Sequence, residues 1–227
     1  MKKTPFTTRL LTGINRLFIR LRGDTGADLS RGPLSDLVRN SAVTALFEYT
    51  GQTCLEVGVG EGLLADTVKE RGNFRRFIGV DISTQNLILA NKRLSDNRFY
   101  YGVCALAHRL PFKPGAIERV VCVNTLYNQN TWKEVRAIII ELGMLTNGDG
   151  SFLFDIRNAR DPLITTIYRV SRIIDPSTRR LEIHAYPYRR VKKMLEENGY
   201  VVTRRIPVYY PFWIFPSAFV IEAQRAP

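Results

Sequence analysis

Three cysteines, two histidines and two tryptophans are all that the 227 residues contain of those types. Cys54, Cys104 and Cys122 have no metal-ligand spacing, so no metal is expected. Two of them fall in expected buried strands or at their ends, and all three read as buried free thiols acting as small hydrophobes, which suits a reducing cytoplasm. The longest apolar runs fall far short of a membrane span. Met1 to Arg22 lacks an uninterrupted apolar core and a small-residue cleavage site, which excludes a secretory signal. No repeat or low-complexity run is visible, and this length makes one α/β domain the default.

What the chain has in excess is positive charge, +12 at neutral pH with a pI near 9.9. Residues 1–50 carry +4, residues 51–150 only +2, and residues 151–227 carry +6. The excess therefore sits at the two ends. Such a field favours an anionic partner: RNA, an acidic membrane surface, or a phosphorylated or carboxylated substrate. A basic, solvated surface with no specific partner is the plain alternative.

The middle of the chain is organised around Thr53 to Gly62, T-C-L-E-V-G-V-G-E-G. Cys54, Leu55 and Val57 read as a buried strand, and Gly58, Gly60 and Gly62 as a tight turn into a helix over Leu63 to Glu70. Glycines there let the backbone approach a ligand that a β-carbon would keep away. Glu56 sharpens the reading. A carboxylate near the end of a central strand is costly without a partner, and it would repel a phosphate. It suits the cationic ammonium and sulfonium of S-adenosylmethionine instead. The G-x-G-x-G spacing also differs from the dinucleotide fingerprint.

Arg76 to Asp81 reads as the second strand, with Asp81 placed to accept from both ribose hydroxyls and Ile82 to flank an adenine. Ser83 starts a helix to about Leu94. Strands follow over about Arg98–Val103, Arg119–Val123 and Ser151–Ile156. A helix over about Thr131–Leu145 and an Asn147-Gly148-Asp149-Gly150 turn precede the last of these. A helix over Tyr188–Asn198, a strand over Tyr200–Val208, an aromatic loop over Tyr209–Pro216 and a strand over Phe219–Ala223 complete the chain. Strand and helix alternate, which predicts an α/β fold with a parallel sheet covered on both faces. Residues 6–22 pattern as a basic amphipathic helix with Leu10, Ile14, Leu17 and Leu21 on one stripe. It either caps the domain, closes over the site or lies on an anionic membrane.

In order, L-E-V-G-V-G-E-G, G-V-D-I-S, R-L-P-F, R-V-V-C-V-N-T-L-Y and L-T-N-G-D-G-S-F-L-F resemble the class I S-adenosylmethionine-dependent methyltransferases. The resemblance covers about Gln52 to Ile156, more weakly as far as Gln224. It implies a Rossmann-like three-layer sandwich, whose seven-stranded, mostly parallel sheet has its last strand antiparallel. It also implies S-adenosylmethionine as cofactor and S-adenosylhomocysteine as product. Glu56, Gly58 and Gly60 would lie along the methionine part and the sugar, Asp81 on the ribose, and Asn124 at the methyl-donor end. The family's acidic residue after strand three is replaced by Cys104, so backbone groups of Ala105 and Leu106 would serve the adenine. The resulting division is an N-terminal helical cap (1–50), a cofactor-binding core (51–156), an arginine-rich insertion over the substrate site (157–187) and the rest of the same domain (188–227).

Methyl transfer needs alignment above all, and a base where the acceptor must lose a proton. His184, late in the insertion, is the candidate base, and Tyr127 a candidate for orienting the acceptor; His108 lies near the adenine end. Asn124 to Tyr127 does not form the N-P-P-Y pattern of enzymes that methylate base or glutamine nitrogens. The expected acceptor is a small molecule, apolar, acidic or membrane-associated. An RNA methyltransferase is the alternative, although no RNA-binding module is evident. A silent cofactor-binding protein is the third reading. Contact with an anionic membrane would run through residues 1–22.

Overall fold

The computed structural model describes residues 32–70, 74–94, 99–166 and 184–227. The amphipathic helix expected over 6–22, and most of the insertion, lie outside these residues.

The described elements are α1 (Pro33–Leu46), β1 (Thr53–Val57), α2 (Leu63–Glu70), β2 (Arg76–Asp81), α3 (Thr84–Leu94), β3 (Tyr100–Cys104), β4 (Ile117–Cys122), α4 (Trp132–Leu145), β5 (Thr146–Arg157), α5 (Tyr188–Glu197), β6 (Tyr200–Tyr209) and β7 (Pro216–Arg225). The strands form one seven-stranded sheet in the order β3-β2-β1-β4-β5-β7-β6. β7 runs antiparallel to both neighbours, and the remaining pairs are parallel. Fold class and strand direction match the expectation.

Each helix is stopped or started by its own sequence. Pro33 opens α1, where the missing N–H removes nothing. α4 begins with a capping box. Thr131 accepts from the Glu134 N–H, and the Glu134 carboxylate accepts in return from the Thr131 and Asn130 N–H groups. The buried stripes of α1, α2 and α3 (Val38 and Val43; Leu64 and Val68; Leu87 and Leu94) pack on one face of the sheet. Those of α4 and α5 (Ile138, Ile139 and Leu142; Val191 and Leu195) cover the other. β1, enclosed between β2 and β4, is buried at all five positions.

Several boundaries differ from the sequence reading. The Asn147-Gly148-Asp149-Gly150 turn is part of β5, which starts at Thr146 directly after α4; the irregularity shows as a register shift against β4 between Ile117 and Arg119. β5 also runs one residue further, so Arg157 ends the strand rather than opening the insertion. β7 begins at Pro216, zipped to β6 from Tyr209 downward. Cys104, expected to be buried, is exposed, while Cys54 and Cys122 are buried.

This topology fixes where a ligand can sit. Strand order reverses between β1 and β4, and the crevice at such a switch point opens at the carboxyl ends of the strands.

Candidate functional site

The turn after β1 sits in that crevice. Gly58 and Val59 donate their N–H groups to the Val80 carbonyl of β2, at 2.7 and 2.9 Å. Gly58 has φ of +80°, and a β-carbon there would lie 2.1 Å from Thr125 Oγ1. Gly60 has φ of +53° with open space where a β-carbon would go. One position is glycine because the loop after β4 presses against it; the other because of its backbone alone.

Asp81 ties the turn to β2. Its Oδ2 accepts the Gly60 N–H at 2.9 Å, and its Oδ1 accepts Ser83 N–H at 2.8 Å and Asn86 Nδ2 at 3.4 Å. Ser83 Oγ caps α3 by accepting Asn86 N–H. Behind the turn lies Glu56, with Oε2 buried and without a hydrogen-bond partner. Burial pushes the Glu56 carboxyl up to about 8; Arg39 pulls it down and Asp81 pushes it further up.

These groups border a cavity of about 390 Å³. Its wall includes Gly58, Gly60, Asp81, Ile82, Ala105, Leu106 and Asn124, so seven of the eight expected cofactor residues converge on one space. The eighth, Glu56, is buried and does not line it. Ile82 and Leu106 expose apolar side chains at the mouth. The Ala105 N–H is already given to the Asp81 carbonyl at 3.2 Å, and Cys104 Sγ reaches the Ile82 carbonyl at 3.5 Å.

A buried polar knot holds the floor at β4 and β5. Asn124 adopts φ of +58°, a strained backbone for a residue with a side chain. Its N–H donates to Asp155 Oδ1 at 2.6 Å, its amide nitrogen donates to the Ser35 carbonyl of α1 at 3.0 Å, and its Oδ1 accepts from Arg157 Nη2 at 2.8 Å. Arg157, only 2% exposed, also donates to Asp155 Oδ2 at 2.9 Å and to Ser35 Oγ at 3.2 Å. Its guanidinium lies over the Tyr127 ring, 4.5 Å from the centroid. Burial pushes the Asp155 carboxyl up, and Arg157 and the Asn124 N–H pull it back. Asn124 is thus on the cavity wall with its amide committed to the protein.

The two catalytic candidates are neighbours but do not line the cavity. Tyr127 is buried under Arg157, and its carbonyl accepts the His184 N–H at 3.0 Å. The His184 ring lies 6.2 Å from that of Tyr186. His108 is on the wall, with Thr125, Asn128, Gln129 and Glu134, none of which was singled out as a site residue. The polar run Asn128-Gln129-Asn130 after β4 is the one signal in the sequence that pointed to them. The Asp155–Arg157–Ser35 knot joins residues far apart in the chain and leaves no local pattern.

Residues 55–154 match the family model described as a methyltransferase domain. No curated protein matches the sequence. Among solved structures, the fold is similar to magnesium protoporphyrin IX methyltransferase from Synechocystis PCC 6803 with bound S-adenosylhomocysteine. That likeness has a TM-score of 0.68 at 20% identity and covers 95% of each chain. A second similar fold is that of an S-adenosylmethionine-dependent methyltransferase from Methanosarcina mazei, with TM-score 0.65 and 17% identity over 81% of this chain and 97% of that one. A third is 1,6-didemethyltoxoflavin-N1-methyltransferase from Burkholderia thailandensis, with TM-score 0.65 and 13% identity over 100% and 92% of the two chains.

Proposed function

We propose that the chain is a class I S-adenosylmethionine-dependent methyltransferase that transfers the methyl group to a small-molecule acceptor, apolar, acidic or membrane-associated. The observation that carries this reading is Glu56. A buried carboxyl whose Oε2 has no hydrogen-bond partner, near a glycine turn whose Gly60 leaves room for close approach, fits a cationic ligand.

The residues present fit the cofactor in kind. Asp81 offers carboxylate oxygens to a diol, Ile82 and Leu106 offer apolar surface to a flat base, and Glu56 offers charge to an ammonium or sulfonium. When bound, S-adenosylmethionine supplies a methyl group already activated on sulfur. The chain's own part is alignment and water exclusion, with a proton acceptor where the acceptor atom needs one. The Asp155–Arg157 pair holds Asn124 in its strained turn and so fixes the floor. His108 lines the cavity beside Leu106 and Ala107, and in this reading it stands at the adenine end. His184 and Tyr127 brace the wall of the described site through their backbone bond.

Two measurements test the reading. Calorimetry with S-adenosylmethionine should show saturable binding that Asp81→Ala weakens by about 10- to 100-fold, because that change removes a charged acceptor. A metabolite-extract screen with labelled methyl donor should give a labelled small molecule. Label found only in RNA would overturn the acceptor class, and absence of cofactor binding would overturn the whole reading.

A further inference from the structure

The tip of the β6–β7 hairpin exposes Phe212, Trp213, Ile214 and Phe215 in succession, with Trp213 83% exposed. The chain has no charged residue from Ile206 to Ile221, and no acidic one between Glu197 and Glu222. Four adjacent large apolar side chains in water, on a stretch without charge, are far from the scattered exposure that any surface shows.

The tip is also firmly mounted. The Ser217 hydroxyl has one proton to donate and two acceptors in reach, Asp161 Oδ2 at 2.6 Å and the Tyr210 carbonyl. Asn158 donates its N–H to the Ser217 carbonyl at 2.9 Å and its amide to the Pro216 carbonyl at 2.7 Å. Because β7 starts beside Arg157, at the carboxyl end of β5, the tip stands on the same rim of the sheet as the cavity.

Basic side chains gather beside the tip, while Glu61, Asp81 and Glu134 lie around the cavity on the same rim. Asn158 links the hairpin base to the approach to α5 through its bridge to Tyr186. Around this junction Arg160, Arg189 and Arg190 are exposed. The neighbouring acids are turned inward: Asp161 is buried on Ser217, and Asp155 is buried on Arg157. Lower on β6, Arg205 is exposed and lies over the rings of Tyr188 and Phe219.

We propose that this rim docks on an anionic lipid bilayer, with Phe212 to Phe215 entering the headgroup–acyl boundary and Arg160, Arg189 and Arg190 facing the phosphates. Aromatic side chains favour that depth, and basic residues beside them add attraction to acidic lipid. Docking in this pose brings the cavity mouth to the membrane, which suits an acceptor that resides there. The proposal stands on the tip and its rim, independently of the methyl-transfer reading.

The test uses the full chain with vesicles of phosphatidylcholine, alone or with phosphatidylglycerol. Co-sedimentation is expected with the mixed vesicles and at least about tenfold less with the neutral ones. Phe212→Ser/Trp213→Ser should lower binding to the mixed vesicles at least about tenfold, since two large apolar groups no longer enter the interface. In a Trp132→Phe background Trp213 is the sole indole, and its emission should shift to the blue and be quenched by brominated acyl chains. Circular dichroism of the double variant should match the parent, because the changed side chains lie in solvent. Equal binding by the double variant, equal binding to neutral vesicles, or unshifted Trp213 emission would each overturn the proposal. So would a concentration-dependent dimer that the double variant abolishes while vesicles bind neither form.

Discussion

Glu56 and Glu222 are equally buried, each 3% exposed, and stand on one rung of the sheet. Glu56 pairs across to Val121, Val121 to Leu153, and Leu153 to Glu222. Glu222 is surrounded by partners. Tyr49 and Ser151 donate to its Oε1, and Arg204 Nε lies 3.5 Å from its Oε2. Arg119 covers the Tyr49 ring at 3.6 Å, and Arg204 bridges outward to Glu48. Glu56 has Oε2 with no partner, and burial pushes its carboxyl up to about 8. The contrast separates two uses of a buried carboxylate. Where the chain supplies the partners the group serves the fold; where it leaves Oε2 without a hydrogen bond, the reading proposed above is that the group awaits a ligand.

Substitutions at the two positions should therefore act in opposite directions. Glu222→Leu strips Tyr49 and Ser151 of their acceptor and leaves Arg204 without its inner partner. A loss of about 3–5 kcal/mol in urea unfolding is expected. A loss of under about 1 kcal/mol would break the comparison.

Glu56→Gln should stabilise the ligand-free protein. The folded carboxyl titrates above its unfolded value, so it is neutral in the folded state up to about pH 8. As pH rises from the ordinary carboxylate range to about 8, the unfolded state ionises first and stability falls. The gain from glutamine should be near zero at about pH 5 and on the order of 2–4 kcal/mol at about pH 9. Cofactor affinity should fall in the same variant. A gain that does not grow with pH would show that Glu56 is compensated in solution.

Smaller effects sharpen the picture at the turn. Gly58→Ala meets Thr125 and holds an unfavourable φ, and should cost about 2–3 kcal/mol. Gly60→Ala has space and should cost only about 1 kcal/mol, through its backbone. Thermal unfolding of the pair resolves the order, and a larger loss at Gly60 would contradict the reading of the turn.

Much of this was legible in the chain. The glycine turn, Asp81 at the end of β2 and the alternation of elements are local patterns, and the structure brings those residues to one cavity. The failures have physical causes. Asn147 to Gly150 carries turn residues and forms the irregular stretch of β5 between Thr146 and Ser151, both of which pair with β4. Arg157 sits in an arginine-rich stretch and reads as surface; its bonds to Asp155, to Asn124 and to Ser35 and its stacking on Tyr127 go with its burial. The strain at Asn124 and the placing of His108 rather than His184 on the wall depend on the packed loops, which no periodicity encodes.

The central claim is that Glu56 awaits a cation. The direct measurement is calorimetry of S-adenosylmethionine binding at about pH 6.5, in two buffers that differ in ionisation enthalpy. A cation near Glu56 must bring its carboxyl below that pH. The parent protein should therefore release about one proton on binding, and Glu56→Gln should release none and bind more weakly. Binding without proton release, or equal release and affinity in the glutamine variant, would contradict it.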